Sequence, residues 1–254
     1  MIFSYPDAYT YIIFLRLLIR IKKTMNTAMK LKIEDEFASR VPAYRVIVLE
    51  CQMQNGPTSE TQKAEMQQLC DKIQSSCAIA DINQRPAIAA TRTAYKACGK
   101  DPNRYRPSQE QLMRRVVRGL GLYNVSSVVD AGNQFSLLTG CSIGCFDREA
   151  IVGDTLTIGI GREDEPYEGI GRGPINVGGL PIVRDAAGGI GTPTSDNERT
   201  KTTPSTTHLV ATIHIFDPSL DAEEMIATIS DLLTRHTGAS DIKARCFKRN
   251  KECV

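Results

Sequence analysis

Apolar and polar positions along this chain change period several times, and each change predicts an element. Ala43 to Cys51, AYRVIVLEC, is dense in β-branched residues and predicts a buried strand, ended by the turn chemistry of Asn55-Gly56-Pro57. From Ser59 the spacing becomes helical: Met66, Leu69, Cys70 and Ile73 share a face, and Ser59 with Gln62 forms a capping-box start. Residues 85–100 predict a second helix ending at Gly99, with Arg92 and Lys96 on one face. Pro107-Ser108 with Gln111 predicts a third, capped by Ser108. Leu112, Met113, Val116 and Val117 make its apolar side; Arg114, Arg115 and Arg118 make the opposite, water-facing side. Asn124 to Asp130, with Val125, Val128 and Val129, predicts a strand whose end presents Asp130 and Asn133.

Beyond a loop-and-strand segment, Leu137–Asp147, the residues LTIGIG alternate as a strand with Leu156, Ile158 and Ile160 on one side. Leu180 to Asp185 predicts another short strand. Thr207 to Phe216 alternates cleanly: Leu209, Ala211, Ile213 and Ile215 on one face and His208 and His214 on the other, so a half-buried strand is expected. Residues 219–236 predict a closing helix on Met225, Ile226, Ile229, Leu232 and Leu233, capped by Gly238, and Lys243 to Val254 reads as a frayed basic end. Nothing repeats and no low-complexity linker divides the chain. The expected architecture is therefore α+β, a single domain of mixed β-sheets packed with helices. Its expected bounds are residues 25–240, with a non-native or disordered leader at 1–24 and a basic tail at 241–254.

Composition narrows the function only where it departs from the ordinary. A net charge of +2 over 254 residues argues for no polyanionic partner from the whole chain, so local charge must carry that argument. The run at residues 9–21 is too short to span a bilayer, is broken by Arg16 and Arg20, and has no cleavage site after it, so no stable membrane insertion is expected. The eight cysteines include no C-x-x-C pair, and the three histidines lie far from them in sequence; free thiols, a cytoplasmic location and no metal are expected. Gly169-Ile-Gly171-Arg-Gly173 lacks the dinucleotide spacing and is followed by Pro174, so no nucleotide cofactor is expected.

Two candidate regions remain. Between Arg92 and Arg118 eight Lys or Arg residues face two acids, Asp101 and Glu110. Arg92, Arg104, Arg106, Arg114, Arg115 and Arg118 are the candidate RNA contacts, because the planar guanidinium reaches phosphate oxygens bidentately. The polar loop GTPTSDNERT, Gly191 to Thr200, is the second, as either an ordinary loop or the rim of a site.

Four blocks carry a resemblance: DPNRYRPSQEQLMRRV, SSVVDAGNQFSLLTGCSIGCFD, EDEPYEGIGRG and GTPTSDNERT. In that order they resemble the B3/B4 domain of the phenylalanyl-tRNA synthetase β subunit in its free-standing form, most strongly over residues 82–217. The resemblance implies an editing-domain-like sandwich with a pocket at a sheet end, and hydrolysis of tyrosine wrongly joined to phenylalanine tRNA. Carried over residue by residue, Asn133 matches the Asn that lines the editing pocket, and Gly140 and Asp147 frame the following loop. Glu198 is the candidate pocket acid beside Asn133 as catalytic residues; Asp130, Glu168, Asp196, Arg199 and Thr200 are the candidate substrate contacts. The chain departs from the pattern at Ser142, where the family has Pro, and at Gly144, where it has the His that places the ester or its water. Three functions stay open: a deacylase acting in trans on mischarged aminoacyl-tRNA, a non-catalytic RNA-binding module, and a binder of an amino-acid-like small molecule. Oligomeric state is not legible.

Overall fold

In the computed structural model, residues 28–254 are described. The expected leader at 1–24 lies outside the described residues. Strands β1 (Lys30–Ile33), β4 (Thr155–Ile160), β7 (Pro181–Asp185) and β8 (Gly188–Gly191) form a sheet in the order β1-β4-β7-β8, in which only the β1–β4 pair is parallel. Strands β2 (Arg45–Gln52), β3 (Ser142–Asp147), β9 (His208–Ile215), β10 (Ser240–Lys248) and β11 (Lys251–Glu252) form an antiparallel sheet in the order β11-β10-β2-β9-β3. A two-stranded ribbon, β5 (Glu168–Gly169) with β6 (Gly173–Pro174), completes the strands among the described residues.

Among the described residues six α-helices form: α1 (Asp35–Arg40), α2 (Glu60–Ser76), α3 (Pro86–Cys98), α4 (Ser108–Val117), α5 (Ser127–Thr139) and α6 (Ala222–Thr237). On one face of the five-stranded sheet, Val128, Ala131 and Phe135 of α5 and Ile229, Leu232 and Leu233 of α6 pack on Ile47, Leu49, Leu209 and Ile213. On the other face Val46, Val48, Phe146 and Val210 meet Leu156, Ile158, Val183 and Ile190 of the smaller sheet. The fold is thus an α+β sandwich of helices, sheet and sheet. A third cluster, Met66, Cys70 and Ile73 with Met113, Val116 and Leu137, fastens α2 and α4 to the end of α5. Each such side chain, fully buried, contributes about 1.5–3 kcal/mol.

Several expectations hold in detail. Ser59 accepts the Gln62 N–H, Gly99 and Gly238 take left-handed conformations as C-caps, and β2 occupies the predicted run. Others need correction. Residues 127–139 are a helix, where a strand to Asp130 was expected. Val128, Ala131 and Phe135 fall at helical spacing and Gly140 (φ 76°) caps them, a pattern that reading Val128-Val129 as β-branched strand residues hides. Ser108 is not a cap: Pro107 holds that position, the Ser108 N–H donates to Pro193 O at 2.7 Å, and Gln111 Nε2 reaches back to Arg106 O. Strand β9 is buried at all eight positions, because the second sheet covers the face bearing His208 and His214. Residues 241–248, expected within a basic tail, belong to β10, which pairs with β2; Ile242, Ala244 and Cys246 alternate with Asp241, Lys243 and Arg245 and pack against the helix-side core. Among the described residues, no helix is long and apolar enough to cross a membrane.

Candidate functional site

The site lies at the outer edge of β3, where Phe146 bridges to Lys201. Helix α5 crosses beside this edge, close enough that a Cβ on Gly132 would sit 3.3 Å from Ile143 Cγ2. Val129, Gly132, Asn133 and Ser136, one helical face, thereby look onto Ile143 and Cys145. The loop after β8 closes the space from the far side. It is stapled by its own side chains: Thr192 Oγ1 accepts the Thr194 and Ser195 N–H groups, Tyr167 donates to Ser195 O at 2.6 Å, and Tyr95 and Thr194 share a hydrogen bond. Among these surfaces lies a cavity of ≈ 370 Å³, whose lining includes Asn133, Ser136, Thr192, Ser195, Asp196 and Lys201.

Asp196 is the one carboxylate in that lining. Its Oδ2 accepts the outward N–H of Cys145 at 3.2 Å, which satisfies an edge-strand donor. Burial pushes its carboxyl up to about 7, against the pull of that N–H. A group balanced between its two forms near neutrality, in a polar-and-apolar cavity, is suited to accept and return a proton. Lys201 brings a cation to the same wall, paired with Glu198.

A second cavity of ≈ 510 Å³ adjoins the first, with Ser108, Leu112 and Asn133 lining both. Its walls carry Arg106, Arg114, Arg115, Arg118 and Arg172. A third, of ≈ 220 Å³, shares Arg106, Gln111, Arg172 and Thr194 with the second and adds Arg104 and Tyr105. The three run together as a groove, basic along most of its length and acidic only at the Asp196 end.

The predicted residues distribute unevenly along this groove. Asn133 stands at the junction of the two larger cavities and Asp196 in the deeper one. Arg104, Arg106, Arg114, Arg115 and Arg118 line the basic part. Arg92 lies outside it, bonded to Glu110, Asn103 and Pro102 O. Arg114 shares the fully buried Glu110, 2.8 Å from its Nε, so the arginines of α4 do not all face water. Glu198 pairs with Lys201 outside the lining, and Glu168 is exposed on the β5–β6 ribbon. Arg199 holds Asp185 through two nitrogens, at 2.8 and 2.9 Å, and Thr200 is fully buried. Asp130 is buried in the first turn of α5, where it accepts bonds from Thr58 and the Val125 N–H; burial raises its pKa against those bonds. Sequence reasoning missed Lys201, Thr192, Cys145, Arg172 and Tyr123. Arg172 carried a signal, as the lone cation among the glycines of 169–173, and Thr192 lay within the polar loop 191–200; the others carried none.

Over residues 90–249 the chain matches the B3/4 domain. It belongs to the B3/4 domain family. A solved structure similar to it is an N-terminal fragment of the phenylalanyl-tRNA synthetase β-subunit from Pyrococcus horikoshii, at 12% identity and a TM-score of 0.43. That likeness covers 85% of this chain and 52% of the other, so the chain spans about half the length of that fragment. No curated protein matches. In this B3/4 domain the glycine at 144 has a visible reason. A Cβ there would stand 2.6 Å from Phe146 Cζ and 3.0 Å from Asp196 Oδ1, and one on Gly191 would stand 2.6 Å from the same Phe146 atom. The Phe146 ring fills the space between two bare strands, and no side chain fits over position 144 while it stays there.

Proposed function

We propose that this B3/4 domain binds the aminoacylated 3′ end of a tRNA and hydrolyses its ester. The observation that carries the reading is the continuity of the groove: five arginines suited to phosphates lead, past Asn133, into the one cavity wall that bears an acid poised near neutrality. The phosphodiester backbone lies along Arg106, Arg118 and Arg172, and the amino-acid moiety enters the cavity of ≈ 370 Å³. A water held between Asn133 and Asp196 attacks the ester carbonyl. Its proton passes to the Asp196 carboxylate, the carbonyl oxygen becomes the oxyanion, and Lys201 opposes that charge. When the intermediate collapses, the ribose hydroxyl leaves with the proton from Asp196, giving free amino acid and uncharged tRNA. The ester is already reactive, so placing the water supplies most of what is needed.

Release of labelled amino acid from a panel of misacylated tRNAs, tyrosyl-tRNA(Phe) among them, tests this. The expected result is turnover by the full chain, lowered at least ~100-fold in Asp196→Asn. Hydrolysis no faster than in buffer for every member, at high protein concentration, sinks the reading. A second reading, binding without hydrolysis, is favoured by one observation: Gly144 and the Phe146 ring leave no room for the histidine that the resemblance calls for.

A further inference from the structure

The loop 118–126 between α4 and α5 accounts for a feature that neither packing nor the ester chemistry explains. Among the described residues seven large hydrophobic side chains are exposed, and four of them line this one groove: Leu120 and Tyr123 beside the arginines, Val125 and Ile170 at the mouth of the Asp196 cavity. Exposed apolar groups gathered at one site mark a binding surface, whereas scattered ones need no explanation. Tyr123 is the most exposed of the seven, at 69%. The Arg115 guanidinium lies 3.9 Å from its ring centroid, and Arg115 Nη2 also donates to Leu120 O at 3.2 Å. Arg115 therefore braces one face of the ring and ties down the loop that carries it. The rest of this flat surface is open, beside a cleft whose walls are cationic.

We infer that Tyr123, backed by Arg115, is a stacking platform for the base of an unpaired nucleotide next to the 3′ end of an RNA. The inference rests on the function proposed above and assigns the base a place apart from the phosphates and the ester. A flat, cation-backed ring beside arginines suits a nucleobase that follows its own phosphates into a groove. Arg118 and Arg172 neutralise the backbone on either side, and Leu120 and Val125 cover the edges of the stacked base. Such a platform is indifferent to base identity, because every base presents a π face, but it needs the strand unpaired.

The test uses the full chain and a single-stranded RNA hexamer with 2-aminopurine at either of its last two positions. The fluorophore should be quenched on binding. Tyr123→Ala should weaken binding about 5- to 100-fold and abolish the quench, while Tyr123→Phe keeps both. Tyr123→Leu, with similar bulk but no ring, should behave as the Ala variant. The salt slope should survive Tyr123→Ala and fall by about one in Arg118→Ala. Because Tyr123 is exposed, its variants should melt with the parent, which shows that loss of binding is not loss of fold. If the RNA binds with a steep salt slope but Tyr123→Ala changes neither affinity nor quench, or if a blunt duplex binds equally well, the platform is overturned and the proposed function stands. If no RNA binds even at low salt, both fall together.

Discussion

At Asp196 a single residue ties the proposed chemistry to stability. Its folded pKa of about 7 lies above the ordinary 3.8, so its contribution to stability is fully present below pH 3.8 and is lost as pH rises through about 7. At pH 8 the ionised carboxylate costs stability, and Asp196→Asn should melt higher than the parent. The gain should be about 1–3 kcal/mol, taking ~1.4 kcal/mol per pH unit and discounting for solvent at the cavity mouth. The hydrolysis proposed above needs the ionised form, so its rate should climb with pH through about 7 and level off above. A variant that gains stability while losing turnover would mark a functional acid; one that loses both would mark a structural one. Gly144 is the second decisive residue. Gly144→Ala should cost about 1–3 kcal/mol in a denaturant titration, because Phe146 is fully buried and has nowhere to retreat. An unchanged midpoint would mean that the ring moves easily and that a side chain at 144 is tolerated.

At the scale of elements, α4 is held by an ion cluster as much as by its apolar face. Glu110 is fully buried and meets Arg92 Nη1 at 2.9 Å and Arg114 Nε at 2.8 Å. The cluster ties α3, the following loop and α4 together, and it orients one wall of the basic groove. Glu110→Ala leaves two guanidinium groups facing a buried void and should cost about 3–5 kcal/mol in chemical denaturation. Removal of one groove-facing charge, as in Arg118→Ala, should leave the melting temperature within a degree or two, since Arg118 is exposed. Strand β10 has the same weight at the other end of the sheet. Truncation after residue 239 strips the hydrogen-bonded partner from β2 and uncovers Cys246 and Phe247's contacts, and should leave no cooperative thermal transition by circular dichroism. A folded, cooperatively melting fragment would show that the remaining sheet closes without it.

Across the whole molecule, the two layers on either side of the large sheet give it a titration of its own. His214 lies on the interior strand β9, between the sheets, with Nδ1 2.7 Å from the Tyr44 hydroxyl. Burial holds its pKa down at about 4, below the ordinary 6.5. The sign is opposite to that of Asp196: the contribution is complete above pH 6.5 and is lost as pH falls through about 4, since the unfolded chain takes up the proton first. Between pH 6.5 and 4 the parent should lose stability, by up to about 3 kcal/mol, and His214→Gln should flatten that part of the curve. Identical pH dependence in parent and variant would assign the acid sensitivity elsewhere. Neither His214 nor His208 lines the groove, so His214→Gln should leave the proposed RNA binding at its parent level when measured at pH 7.5.

Local pattern sufficed for what depends on nearest neighbours. Each block behind the B3/4 resemblance is one continuous run, and the start of α2 at Ser59, the ends of α3 and α6 at their glycines and the apolar stripes are all statements about residues a few positions apart. So is the presence of Asn133 and of an arginine-rich helix. Only the tertiary structure decided which of those groups meet. The alternation in β9 predicts one wet face, yet a second sheet lies over it; the charges of 241–248 suggest a tail, yet their alternate residues fill a core. Asp196 and Glu198 are two residues apart in one polar loop. The chain's turn onto the edge of β3 sends the first into the cavity beside Asn133 and pairs the second with Lys201. Burial and convergence come from contacts between residues tens of positions apart, and spacing along the chain does not encode them.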